Sequence, residues 1–159
     1  MTNSLSNSIL IVLIVLIAPC GQISAKDLTT IMVGGKEVSV ELAVTAKERR
    51  IGMQFRTSLT EDHGMLFIFP TERHTIFWMK DTYIPLAVAF IKESGLITQI
   101  EEMEPSSLER HTSRENVKYA LEMKGGWFKR NNVHVGDRVT IPLITDIATD
   151  KGKQSQVLR

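Results

Sequence analysis

The sequence predicts a mainly β fold: one small antiparallel β-sandwich or irregular barrel with one or two short helices. Two observations carry that prediction. Short runs that alternate apolar and polar residues, or are apolar throughout, recur along the chain with Gly, Pro, Asp and Ser turn signals between them. Helical patterning, by contrast, never lasts beyond about two turns. At 159 residues the chain has room for a single domain. Its 43% hydrophobic and 23% charged residues exclude disorder, collagen and coiled coil as descriptions of the whole. A net charge of +1 argues against a nucleic-acid partner, because phosphate binding leaves a strongly basic footprint.

The first 25 residues carry no Lys, Arg, Asp or Glu and contain an unbroken apolar run, Ile9 to Ala18. That run is too short to span a bilayer and fits the core of a secretory signal, with Ile23-Ser24-Ala25 as a small-residue cleavage site. The domains expected are therefore a signal peptide over 1–25, a β domain over 26–145 and a polar flexible tail over 146–159. Localisation follows as periplasmic or secreted, with a membrane-anchored form if the signal stays uncut; the n-region has no basic side chain. Cys20, the only cysteine, precedes the cleavage point. The mature domain then has no disulfide and relies on its core. Pro19 breaks the resemblance of Ile17-Ala18-Pro19-Cys20 to a lipidation site.

Val38, Val40, Leu42 and Val44 alternate with polar residues or Ala43, and Gly34-Gly35 closes a hairpin onto Leu28 to Val33. Thr45 caps a short surface helix, Ala46 to Gly52, whose Arg49-Arg50 pair is expected in solvent. Gly64 to Phe69 and His74 to Met79 read as short strands. Leu86 to Ile91 is apolar throughout, a strand covered on both faces. Lys92 to Gly95 turns it into a strand over Leu96 to Met103. Glu104 to Asn116 is polar and reads as a surface loop. Val117, Tyr119, Leu121 and Met123 alternate again, Gly125 to Asn132 forms a helical turn carrying Trp127 and Phe128, and Arg138 to Leu143 is the last strand. Every aromatic residue lies between Phe55 and Phe128, so that half of the chain supplies the core and any ligand surface.

Several motifs stand at fixed spacing: Arg50-Ile51-Gly52-Met53-Gln54-Phe55-Arg56, Gly64-Met65-Leu66-Phe67-Ile68-Phe69, Phe77 to Leu86 with its Trp78-Met79-Lys80 and Ile84-Pro85-Leu86 segments, and Tyr119 to Met123 with Gly136-Asp137. Together they resemble the domain-of-unknown-function family 192, small exported or membrane-tethered bacterial and archaeal domains. The resemblance covers about Val38 to Val139 and implies an antiparallel β domain with one short helix, in a family without an agreed activity. The family's usual Asp after Pro-Leu is Ala87 here, and the cysteine pair that some members carry in the long polar loop is missing from Glu104 to Asn116.

The chemistry is expected where an apolar run ends abruptly beside an indole, at Phe77 to Thr82. Trp78 would be a stacking platform, Lys80 an anion anchor and Asp81 an acceptor. A competing reading makes the corner a strand terminus, with Asp81 and Thr82 satisfying backbone amides and Trp78 and Met79 filling core. Arg56 is expected to pair with Glu122 or Asp81. Glu122 faces opposite to Leu121 along its strand, which places it on the solvent face. The ligand-binding candidates are thus Arg56, Trp78, Lys80, Asp81, Thr82 and Glu122, with no catalytic residue assigned.

His63, His74, His111 and His134 have no local zinc spacing, and no metal is expected. There is no Gly-x-Ser-x-Gly elbow, no phosphate loop and no dinucleotide fingerprint, so no cofactor is expected either. Three functions remain. A binding or accessory module of the envelope would hold a small molecule, glycan or envelope protein at the Trp78–Thr82 corner. A small periplasmic hydrolase would use Asp, Glu or His acid–base chemistry and needs two such groups in one cleft. A structural interaction domain would show an exposed apolar patch including Trp127 and Phe128.

Overall fold

A computed structural model describes residues 28–142; the expected signal segment, Cys20 and the polar tail lie outside the described residues. Strands β1 (Leu28–Val33) and β2 (Lys36–Ala43) form the expected hairpin. Gly34 and Gly35 both have positive φ, 55° and 82°, which a two-residue turn matched to strand twist requires. Helix α1 (Ala46–Ile51) starts with a capping box: the Thr45 hydroxyl accepts from the Glu48 amide, and the Glu48 carboxylate accepts from the Thr45 amide at 2.8 Å. Gly52 ends it at φ 51°, ψ −131°, a conformation that a Cβ disfavours.

The expected solvated pair at the end of α1 is corrected for one member. Arg49 is half-buried and its guanidinium donates to the carbonyls of Val44 and, at 2.9 Å, Ile68, while lying 5.7 Å from the centre of the Phe69 ring. Arg50 is exposed.

The main sheet adds β3 (His63–Arg73), β5 (Leu86–Ile91), β6 (Ile97–Met103), β8 (Val117–Lys124) and β9 (Val139–Thr140), in the order β6-β5-β8-β3-β2-β1-β9. Its two edges meet. Leu96 and Arg138 form a bridge, the Ile97 amide donates to Asp137 O at 2.9 Å, and the Val139 amide donates to Gly95 O at 2.8 Å. The sheet is therefore curled into an irregular barrel, which reduces its free edges. One pairing departs from the antiparallel expectation. β2 and β3 run parallel, from Ser39 beside His63 to Ala43 beside Phe67, because the chain between them crosses over through α1.

Both faces of the sheet are covered. On one, Leu66, Ile68, Ala89, Leu121 and Met123 pack with Val38, Val40, Trp127 and Phe128; on the other, Met65, Phe67, Phe69, Val88, Phe90 and Ala120 pack with Met53, Phe77 and Met79. The expected apolar patch at Trp127 and Phe128 does not form. Both side chains, on the short helix α2 (Trp127–Arg130), are buried edge to face with ring centres 5.3 Å apart, and Trp127 Nε1 donates to Asp62 at 3.0 Å.

The expected strand over His74 to Met79 contracts to β4 (Ile76–Phe77), which pairs with β7 (His111–Thr112) inside the long polar loop. The last strand is likewise only two residues long. Loop 104–116 needs no cysteine pair. The Thr75 amide donates to Ser113 Oγ and the Ser113 amide to Thr75 O, both at 3.0 Å, His74 Nδ1 donates to Ser113 O at 2.9 Å, and the Met79 amide donates to Ser107 O at 3.1 Å.

Candidate functional site

Where β8 crosses the centre of the sheet, Glu122 is only 5% exposed. The expectation of a solvent-facing carboxylate is overturned. Glu122 does face opposite to Leu121, but it lies between Met65 of β3 and Val88 of β5, on a face that the second core covers. Its Oε2 is buried without a hydrogen-bond partner. Burial pushes its pKa up to about 8, with the charge of Arg56 only partly opposing. At neutral pH the group is mostly a carboxylic acid, able to donate as well as accept.

Glu122 opens into a cleft of about 470 Å³, a size that suits a small organic molecule. Its walls are Phe67 and Phe69 of β3, Phe77 of β4 and Met53 just beyond α1. Ile51, Ile76 and Trp78 line it as well, and all three are exposed. Arg49, Arg50, Arg73 and His74 are also in its lining. Thr82 also lines the cleft, and its hydroxyl donates to Lys80 O at 3.3 Å. Arg49 is the constrained cation of the group: burial lowers its pKa first, and the charge of Arg73 lowers it further.

Of the six residues expected at the site, Trp78, Thr82 and Glu122 meet at this cleft. Trp78 is 46% exposed, so the reading in which it fills core is wrong for it and right for Met79, which is 0% exposed. Lys80 lies outside the lining, with its ammonium 5.9 Å from the centre of the Trp78 ring. Asp81 is architectural. It takes a left-handed φ of 56°, and its carbonyl accepts from the Phe55 amide at 2.7 Å while the Thr82 amide returns to Met79 O at 3.1 Å. Arg56 pairs with neither expected carboxylate; its guanidinium meets Glu41 at 2.5 Å, a bridge between the α1 crossover and β2.

Arg50, Arg73, His74 and the three phenylalanines were not among the residues expected from sequence. The Arg49-Arg50 pair is expected in solvent and Arg73 falls between two expected strands, whereas β3 runs on to Arg73 and that side chain lines the cleft. The signal was available in the dense cationic and aromatic content on either side of Gly64 to Phe77. No group of three or more His, Cys, Asp or Glu gathers into a metal-binding arrangement among the described residues.

Comparison with known proteins adds kinship rather than activity. A crystal structure from Sinorhizobium meliloti 1021, described as that of "a putative transcription regulator", is 38% identical, covers 72% of this chain and 92% of its own, and superposes with a TM-score of 0.67. A protein of unknown function from Novosphingobium aromaticivorans DSM 12444 is 28% identical over 70% of this chain and 82% of its own, with a TM-score of 0.65. No curated protein matches. The model of the uncharacterised family DUF192, described as Uncharacterized ACR, matches residues 29–141. With a family match that spans the curled sheet and the segments carrying its motifs, the chain belongs to the DUF192 family.

Proposed function

We propose that this domain is a small-molecule binding module acting outside the cytoplasm, and that its binding site is the cleft between Trp78 and Glu122. The observation that carries the reading is that Glu122, whose Oε2 is buried without a hydrogen-bond partner, lines a cleft with aromatic walls. A buried polar atom without a partner costs stability and calls for an explanation, and a ligand that supplies the missing hydrogen bond is one. The half-exposed Trp78 at the same cleft presents a ring on which a ligand can stack. Export rests on the uncharged leader with its Ile9 to Ala18 run and Ile23-Ser24-Ala25 site.

The test is a screen of chemically diverse small molecules against the isotope-labelled full chain by two-dimensional NMR. Hits should move the Gly52 amide and Trp78 indole resonances, and Trp78→Ala should weaken them. A screen whose hits all map away from this cleft would sink the proposal. Export is checked by fractionating cells and reading the N-terminus by mass spectrometry; a protein found in the cytoplasm with Met1 intact rejects it.

A hydrolytic reading has one specific observation in its favour: a carboxyl with its pKa near 8 and a histidine, His74, line the same cleft. It requires turnover of a bound ester or glycoside that Glu122→Gln abolishes while binding persists.

A further inference from the structure

We infer that the ligand of this cleft is an organic anion with an apolar, ring-bearing body, its acid group held by Arg50 and Arg73 and its body laid against Trp78 towards Glu122. The inference rests on the binding reading above and names the class of ligand. Three features carry it. Arg50 and Arg73 both line the cleft, and among the described residues neither guanidinium is paired with a carboxylate. Arg73 uses its Nε, towards His74 O at 3.3 Å, and Arg50 accepts from Gln54 Nε2 through its carbonyl at 3.2 Å. Arg49, the third cation of the cleft, is committed to backbone carbonyls and to the Phe69 ring, so its charge adds to the field without its fork being free.

An unopposed arginine pair is a recognition element for carboxylate or phosphate, because each guanidinium presents two parallel N–H groups. Among the described residues the only carboxyl lining the cleft is that of Glu122, which is buried. In its acid form it offers a hydrogen bond to a neutral oxygen of the ligand and does not compete with the ligand for the arginines. The aromatic and aliphatic side chains of the lining argue against a small inorganic ion as the natural occupant, since most of the cleft would stay unfilled.

The test uses three matched probes, 4-phenylbutyrate, 4-phenylbutanol and 4-phenylbutylamine, titrated into the labelled full chain at pH 7. The carboxylate is expected to bind about tenfold more tightly than the alcohol, the size of one charge-assisted hydrogen bond pair, and the amine most weakly. Arg50→Gln and Arg73→Gln should each remove most of the preference for the acid, weakening the acid far more than the alcohol. Glu122→Gln, which keeps an uncharged donor at the floor, should retain the preference. If the amine binds best, or the three bind equally with cleft resonances moving, the anion inference falls and the binding reading stands. If none of the three moves a cleft resonance at about 10 mM, a concentration that detects even millimolar affinity, both fall.

Discussion

Gly52 and Glu122 meet at the floor of the cleft: a Cβ on Gly52 would stand 3.9 Å from Glu122 Oε2 and 3.3 Å from the edge of the Phe67 ring. The glycine serves two ends at once. Its backbone conformation terminates α1, and its missing side chain keeps the space beside the buried carboxyl clear. Gly52→Ala should cost about 1–3 kcal/mol in urea unfolding, from strain at φ 51°. It should also weaken any ligand that reaches the floor, read by NMR titration against wild type.

Glu122 predicts a pH profile. Its pKa in the native state, about 8, exceeds its ordinary value of 4.5, so the folded protein holds a proton that the unfolded chain has lost. The associated stability is fully present below about pH 4.5 and declines as pH rises through 8. Glu122→Gln should flatten this decline and leave the variant about 1–4 kcal/mol more stable than wild type at pH 9. Urea midpoints at pH 5, 7 and 9 check it; parallel profiles for the two proteins would refute an uncharged Glu122.

Neighbouring residues of the corner should behave oppositely. Met79→Ala deletes a fully buried side chain and is expected to cost about 2–5 kcal/mol. Trp78→Ala removes a half-exposed ring and should change stability by under about 1 kcal/mol while reducing ligand binding. A large stability loss for Trp78→Ala would return the indole to the core.

Asp81 separates backbone from side-chain roles. It holds φ at 56°, and the hydrogen bond it makes to Phe55 uses its carbonyl. Asp81→Gly should therefore be neutral or slightly stabilising, whereas Asp81→Val should cost about 1–2 kcal/mol because a β-branched residue resists this conformation. Thermal unfolding of the two variants side by side decides it. Equal losses would mean that the carboxylate matters.

Much of this fold is legible in the sequence because its signals are local. Gly34-Gly35 fixes a hairpin, Thr45 and Glu48 fix a helix start, and the apolar run Leu86 to Ile91 announces a strand covered on both sides. Glu122 escaped because alternation assigns residues to opposite faces without saying which faces are wet. The missing information lay in its neighbours: β3 and β5 are apolar on both faces, so a strand between them is covered on both as well. The partner of Arg56 escaped because Glu41 lies on β2 and meets it only in the folded crossover, a contact with no local signal in the sequence. Trp78 was ambiguous because an exposed stacking ring and a core ring have the same local pattern.

The parallel pairing of β2 with β3 constrains how the protein can vary. Two parallel neighbours cannot be joined by a tight turn, so residues 44–62 cannot be trimmed to a hairpin without unpairing β2 from β3. The same segment supplies Arg49 to Gln54 to the cleft. Loop shortening, the ordinary route by which surface clefts are erased, is thus closed on this side, and the pocket's lip is inherited together with the barrel.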